Sequence, residues 1–282
     1  MKDTLGNEPV VVGIDGSKAA VRAALWAAGE AISHDTAADQ VKAVVVGVDG
    51  SSAALNAVRW ATAEAVNLDV QLRIVYAVPS GNQVSCAETV LLEAEAAATE
   101  ARESVRPVLA KAPGESGDVL VDESDEATMV CIGSHPRQAS AAPLFGPTAS
   151  ALAERARCPV AIIRSRGDGT PDTDGVVSVV LSDEADNDDV VHLAMHEGRL
   201  RGATVRQIDQ RIDSWIRRYP DVHVETVAAG TGRQYQNCES AGARVGLAVV
   251  GRSDADKLGS LRMPNCHAIL GYPDCSVLLV RS

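Results

Sequence analysis

Between residues 42 and 72 the chain reads KAVVVGVDGSSAALNAVRWATAEAVNLDVQL, and its apolar positions change period part-way along. An apolar run from Ala43 to Val48 stops at Asp49, Gly50, Ser51 and Ser52. Beyond the break, Ala54, Val58, Ala61 and Ala65 return at i, i+4, i+7 and i+11. A continuous apolar run suits a strand buried on both faces, and the longer period suits a helix packed against it. The Asp-Gly-Ser-Ser break supplies a turn and an N-cap between them. The stretch therefore predicts a strand, a tight turn and a helix, the opening of a parallel α/β unit. Its turn falls at the carboxyl end of a strand, where open α/β sheets place their ligands.

The alternation continues downstream. Residues 72–78 (LRIVYAV) predict a second strand, and residues 88–111 an Ala/Glu-rich helix. The apolar stripe of that helix is Leu91, Ala94, Ala98, Ala101, Val105 and Leu109. A short helix is expected at 122–127, a strand ending in glycine at 128–133, a helix at 148–156 and a last strand at 159–164. Strands alternating with helices make a parallel sheet with helices on its faces. Residues 112–121 are too few and too Gly-rich for a further strand, which leaves the sheet edge beside the second strand vacant.

Two internal repeats organise the chain. Residues 10–32 (VVVGIDGSKAAVRAALWAAGEAI) nearly copy residues 44–66 (VVVGVDGSSAALNAVRWATAEAV). Only the second copy runs on as a whole domain would, so residues 1–41 are read as an extra, partial strand–helix repeat. Its strand, 10–14, is expected to cover the vacant edge, because an open edge invites aggregation. The second repeat is CPVAIIRS (158–165) against CSVLLVRS (275–282), each preceded by an apolar strand ending in glycine. With GDGTPDTDG at 167–175 as linker, the chain divides into a first domain at 42–166 and a second at 176–282. Strands in the second are expected at 176–181, 204–208, 222–227, 247–251 and 276–280.

Composition narrows the function classes. The 282 residues are 46% hydrophobic but only 3% aromatic, so the cores must be built from Ala, Val, Leu and Ile. A formal net charge of −12 argues against a nucleic-acid partner. No apolar run approaches the ~20 residues of a membrane span, and residues 1–9 lack the apolar core of a signal peptide. A cytoplasmic location is expected. The six cysteines show neither a C-x-x-C pair nor a metal spacing.

VVVGVDGS at the first turn, GSH followed by a later glycine, and CPVAIIR at the last strand together resemble the universal stress protein family in its tandem two-domain form. The resemblance is close over 44–164 and weaker over 176–282. It implies a Rossmann-like α/β fold of the adenine nucleotide alpha hydrolase type: two tandem open five-stranded parallel sheets with helices on both faces, pairing through their last strands. It further implies adenine nucleotide, with ATP as the cofactor, Mg left open, and a homodimer. On this resemblance Asp49 receives the adenosine part, with Gly47 and Val48 beside it, and Ala77 and Val78 border the adenine. The family's phosphate loop, G-x-x-G, nine residues, then G-[S/T], maps onto Gly133, Ser134, His135, Gly146, Pro147 and Thr148.

Two prolines depart from that loop. Pro136 stands at its second glycine and Pro147 at its Ser/Thr. Phosphates are held largely by backbone N–H groups at glycine turns and helix starts, and proline has none to give. Each feature also has a plainer reading: Asp49 can brace its own turn, Pro147 can simply begin a helix, and His135 can be a loop residue. In the second domain Asp254 replaces a loop glycine and no G-x-D-G-S follows the first strand, which marks a structural partner. His192 and His196, with Glu197 alongside, share a helix face at metal-ligand spacing, but no third ligand is identifiable and a solvated acidic face accounts for them. No motif places a catalytic base. The expected function is a stress-response protein binding ATP at one weakened site in the first domain, regulatory rather than catalytic, with weak ATPase activity left open. The alternative is a nucleotide-free dimerisation or interaction module of the same fold.

Overall fold

In the computed structural model of the chain, β1 (Ala43–Gly47) takes up the first apolar run, and its side chains alternate between two cores. Val44 and Val46 join one cluster and Val45 the other, as the two-residue period of a strand requires. The described residues are 42–79, 84–135, 146–165, 175–180, 187–207, 216–226, 245–251 and 275–281. The chain forms two compact units, Met1–Val41 and Lys42–Ser282, and all described residues belong to the second. The expectations for the first repeat, for Pro136, for Asp254 and for most of the linker lie outside them.

After β1 come α1 (Ser52–Leu68), β2 (Gln71–Val78), α2 (Val84–Ala101), β3 (Val108–Pro113), α3 (Ser116–Glu123), β4 (Ala127–Ser134), α4 (Pro147–Arg155) and β5 (Val160–Arg164). The remainder supplies β6 (Val176–Val180), α5 (Asn187–Arg201), β7 (Val205–Gln207), β8 (Val224–Thr226), β9 (Val245–Val250) and β10 (Ser276–Leu279). The strands form one ten-stranded sheet in the order β3-β2-β1-β4-β5-β10-β9-β6-β7-β8. The second five positions mirror the first. β5 and β10 pair antiparallel, with Ile162 opposite Val277 and Ala161 opposite Leu278, while every other pairing is parallel. The two expected sheets are thus continuous through their last strands.

The helices divide between the faces. Ala54, Val58 and Ala61 of α1, Leu91 and Ala94 of α2, and Val190 and Met195 of α5 belong to the same core cluster as Val44 and Val46. Leu120 of α3 and Ala149 and Leu152 of α4 pack with Val45, Val130 and Ile132 on the opposite face. Burying each larger aliphatic side chain contributes roughly 1.5–3 kcal/mol. Alanine dominates α1 and α2 because small side chains let a helix lie close to a sheet already crowded with valine.

Three expectations need correction. The helix expected to reach residue 111 ends at Ala101, and β3 pairs with β2 along the edge expected to be vacant. Val105 and Leu109 keep the helical spacing and pack on the core, but Pro107 has no N–H and disfavours helical backbone in Arg106. The short helix expected at 122–127 lies instead at Ser116–Glu123, after a turn at Gly114 with φ +134°. Finally, Glu197 does not sit on a solvated face: it is 0% exposed.

Glu197 belongs to a buried ionic cluster joining α5 to α1. The Arg201 guanidinium donates to Glu197 and, at 3.0 Å, to Glu64 Oε1, and it lies 5.0 Å from the centre of the Trp60 ring. One oxygen of each carboxylate, Glu64 Oε2 and Glu197 Oε1, is buried without a hydrogen-bond partner. Two carboxylates thus share one cation in the interior. Burial raises the Glu64 carboxyl above its ordinary 4.5, with the Arg201 charge opposing the shift. A carboxyl raised in this way binds more protons folded than unfolded. Its contribution is therefore complete below the unfolded value and is lost as pH climbs through the folded one.

Removing the cation should be costly. Arg201→Met is expected to lower the unfolding free energy by roughly 3–5 kcal/mol, since it strands two buried carboxylates. Glu64→Gln keeps the hydrogen bond and removes a charge, so it should be near neutral at low pH. Above the ordinary value of 4.5 its urea midpoint should rise progressively over that of the wild type. A parallel pH dependence in the two proteins would contradict this account.

Candidate functional site

The end of β1 is held against β2 by the Val48 N–H, which donates to the Val75 carbonyl at 2.9 Å. The chain then turns sharply. Gly50 adopts φ +85°, a region that favours glycine. The Ser51 N–H donates to Asp49 Oδ1 at 2.9 Å, and Ser51 Oγ in turn accepts from the Ala54 N–H at 3.1 Å. Asp49 therefore braces the turn and Ser51 caps α1. The Asp49 side chain nonetheless remains at the surface, beside a cavity.

That cavity has a volume of about 440 Å³ and opens at the carboxyl ends of β1, β2 and β4. Gly47, Val48, Asp49, Ala77, Gly133, Ser134, His135, Gly146, Pro147 and Thr148 all line it. Val78, the remaining candidate, does not; its carbonyl accepts from the Gly114 N–H at 2.9 Å and so anchors the turn into α3. The walls are of two kinds. Val48, Val75, Ala77, Leu120 and Ile132 are apolar, whereas Ser134, His135, Thr148 and the start of α3 are polar.

Gly133 sets how deep the crevice runs. A Cβ added there would stand 2.2 Å from the Ala53 carbonyl carbon and oxygen and 2.5 Å from the Ala54 nitrogen. No side chain fits between β4 and the first turn of α1. On the far side, α4 starts from Gly146 as N-cap, with Pro147 at its first position and no side chain capping it. Proline is favoured there because the first helical N–H has no intrahelical partner in any case. The N–H groups of the following turn are the ones a helix start offers to an anion. The starts of α3 and α4 are bridged by Ser116 Oγ and Thr148 Oγ1, 2.7 Å apart.

Glu115, Ser116, Leu120, Tyr76 and Pro79 also line the cavity but escaped the sequence reading. Glu115 and Ser116 were lost with the misplaced start of α3; the Pro113-Gly114 pair was the available signal. The described lining carries two carboxylates, Asp49 and Glu115, and neither lysine nor arginine. His192 and His196 lie far along the chain on α5, where His192 Nδ1 hydrogen-bonds the Tyr219 hydroxyl. Among the described residues, no three or more His, Cys, Asp or Glu side chains group as a metal set. None of the described helices is long and apolar enough to cross a membrane.

The architecture is an open α/β sheet with a crevice at the switch point between β2-β1 and β4-β5. The family model that matches is the universal stress protein family, over residues 40–164. Universal stress protein Rv2624c of Mycobacterium tuberculosis is 34% identical over 297 residues, covering 96% of each chain. This chain belongs to the universal stress protein family. A universal stress protein from Archaeoglobus fulgidus shares the fold, with TM-score 0.58 and 13% identity over 86% of this chain and 99% of that one. Another, solved in complex with cAMP, is 27% identical over 45% of this chain and 98% of that one, with TM-score 0.39.

The contact at Gly133 gives a direct test of the crevice. Gly133→Ala should cost at least about 3 kcal/mol, the upper end of ordinary overpacking, because the obstacle is backbone rather than a movable side chain. Urea denaturation measures it, and a loss under about 1 kcal/mol would mean that β4 does not approach α1 this closely.

Proposed function

We propose that this protein binds an adenine nucleotide in the cavity at the ends of β1, β2 and β4, and that it works by responding to the ligand rather than by turning it over. The observation that supports this most is the convergence on one cavity of residues scattered from Gly47 to Thr148. A volume near 440 Å³ falls in the range of small-molecule sites, roughly 300–1,000 Å³. The apolar wall suits a purine ring. The start of α4, Ser134 and Thr148 suit phosphate oxygens.

ATP fits this lining in part. Residues 47–49 and 77 would flank the nucleoside, and the N–H groups of Thr148 and Ala149 would meet phosphate. Pro147 withholds one donor, and Glu115 adds a carboxylate to the same cavity. Mutual repulsion then weakens the triphosphate unless a cation accompanies it. The Asp49 carboxylate is already engaged by its own turn. The homodimer implied by the resemblance would need some other surface, because β10 already fills the exposed edge of β5.

Native mass spectrometry of freshly purified protein should reveal bound adenine nucleotide. In calorimetry, Asp49→Ala should abolish binding while Asp15→Ala leaves it nearly intact, since only the second copy leads into β2 and the Gly133 and Gly146 turns. Small and equal effects would favour the nucleotide-free interaction module. Pro147→Ser, which restores an N–H and a hydroxyl, should tighten ATP binding about tenfold. Unchanged affinity would place the phosphates away from α4.

A further inference from the structure

Arg164, the last residue of β5, is 3% exposed. Its guanidinium Nη1 donates to Ser134 Oγ at 3.0 Å and to the His135 carbonyl at 2.9 Å. Ser134 and His135 both line the cavity. Arg164 thus stands directly behind the cavity wall, in a site whose described lining has two carboxylates and neither lysine nor arginine. Its backbone is fixed as well, since the Arg164 N–H donates to Ser276 Oγ on β10 at 3.0 Å.

This arrangement has a chemical consequence. A hydroxyl oxygen that accepts from a guanidinium still has its own hydrogen to donate. The neighbouring positive charge polarises that O–H and strengthens it as a donor to an anion. The second hydrogen bond, to the His135 carbonyl, fixes the backbone where β4 leaves the sheet. We propose that Arg164 is the positioning residue for the anionic end of the cavity: it presents the Ser134 hydroxyl to a phosphate and so sets the preference for a charged nucleotide over its neutral nucleoside. This inference rests on the nucleotide reading above. A purely structural arginine, one that only ties β4 to β5, would affect every ligand alike.

Calorimetry on the full chain with AMP and with adenosine separates the two. Arg164→Gln should weaken AMP roughly tenfold while adenosine stays within about twofold, as expected for loss of one charge-assisted donor. Ser134→Ala should do the same, and the double variant should be no weaker than either single one, because both act through one hydroxyl. Arg164→Lys, which keeps the charge, should recover part of the AMP affinity. Equal losses for AMP and adenosine, or additive losses in the double variant, would overturn the proposal. Should Arg164→Gln fail to fold, the AMP-to-adenosine ratio of Ser134→Ala decides. If the wild type bound neither ligand, the nucleotide reading itself would fall. Hydrogen exchange at residues 133–135 would then decide positioning: faster exchange in Arg164→Gln alone supports it, and an unchanged rate refutes it.

Discussion

The contact between Gly133 and the Ala53 carbonyl is the constraint on which the cavity depends. β4 and the first turn of α1 approach so closely that a methyl group cannot stand between them. Two features make the approach possible: a residue without a side chain at the end of β4, and a turn at Gly50 tight enough to start α1 directly over β1. The parallel pairing of β1 with β4, with Gly47 opposite Ile132, then fixes the height of both rims. β2 departs from β1 on the other side, so the crevice opens where the strand order reverses. The site is a product of backbone geometry before any side chain contributes chemistry.

A second constraint acts at the seam. Val277, Leu278 and Leu279 pair with Ile162, Ala161 and Val160, and all six are buried. Each of the two cores contains residues from both ends of the sheet, so neither five-stranded half owns a core of its own. The seam also carries polar groups: Ser165 Oγ accepts from Asn56 Nδ2 at 2.8 Å, and Ser276 receives the Arg164 N–H. Apolar burial supplies the driving force here. The hydrogen-bonded serines and the Glu64–Arg201–Glu197 cluster add geometric restriction at an electrostatic cost, which is how buried polar groups generally act.

Much of this was legible in the sequence. β1, β2, β4 and β5 are short apolar runs bounded by glycine, proline or charge, and each occurs where its run lies. β3 was hidden for a specific reason. Val105 and Leu109 extend the apolar stripe of α2 in perfect helical register, so periodicity alone favours one long helix, and only Pro107 contradicts it. Losing β3 displaced α3 and with it Glu115 and Ser116. The rim glycines could be found because their spacing is local. Arg164 could not, because its role depends on β5 lying beside β4, a fact of sheet order rather than of any motif. Glu197 misled for a similar reason: an acidic helix reads as solvated until a distant helix, α1 with Glu64 and Trp60, is known to lie against its Arg201.

The mirrored strand order sets the C-terminal half against the strand that backs the cavity. β10 lies against β5, and β5 carries Arg164 to the back of the cavity wall. β10 and Ser134 are thus linked through one strand and one side chain. A ligand that draws on the Ser134 hydroxyl must in return favour the arrangement of β5 and β10 that holds Arg164 in place, because coupling between two sites is reciprocal. On the proposed reading, nucleotide in the cavity and order at the seam stabilise one another.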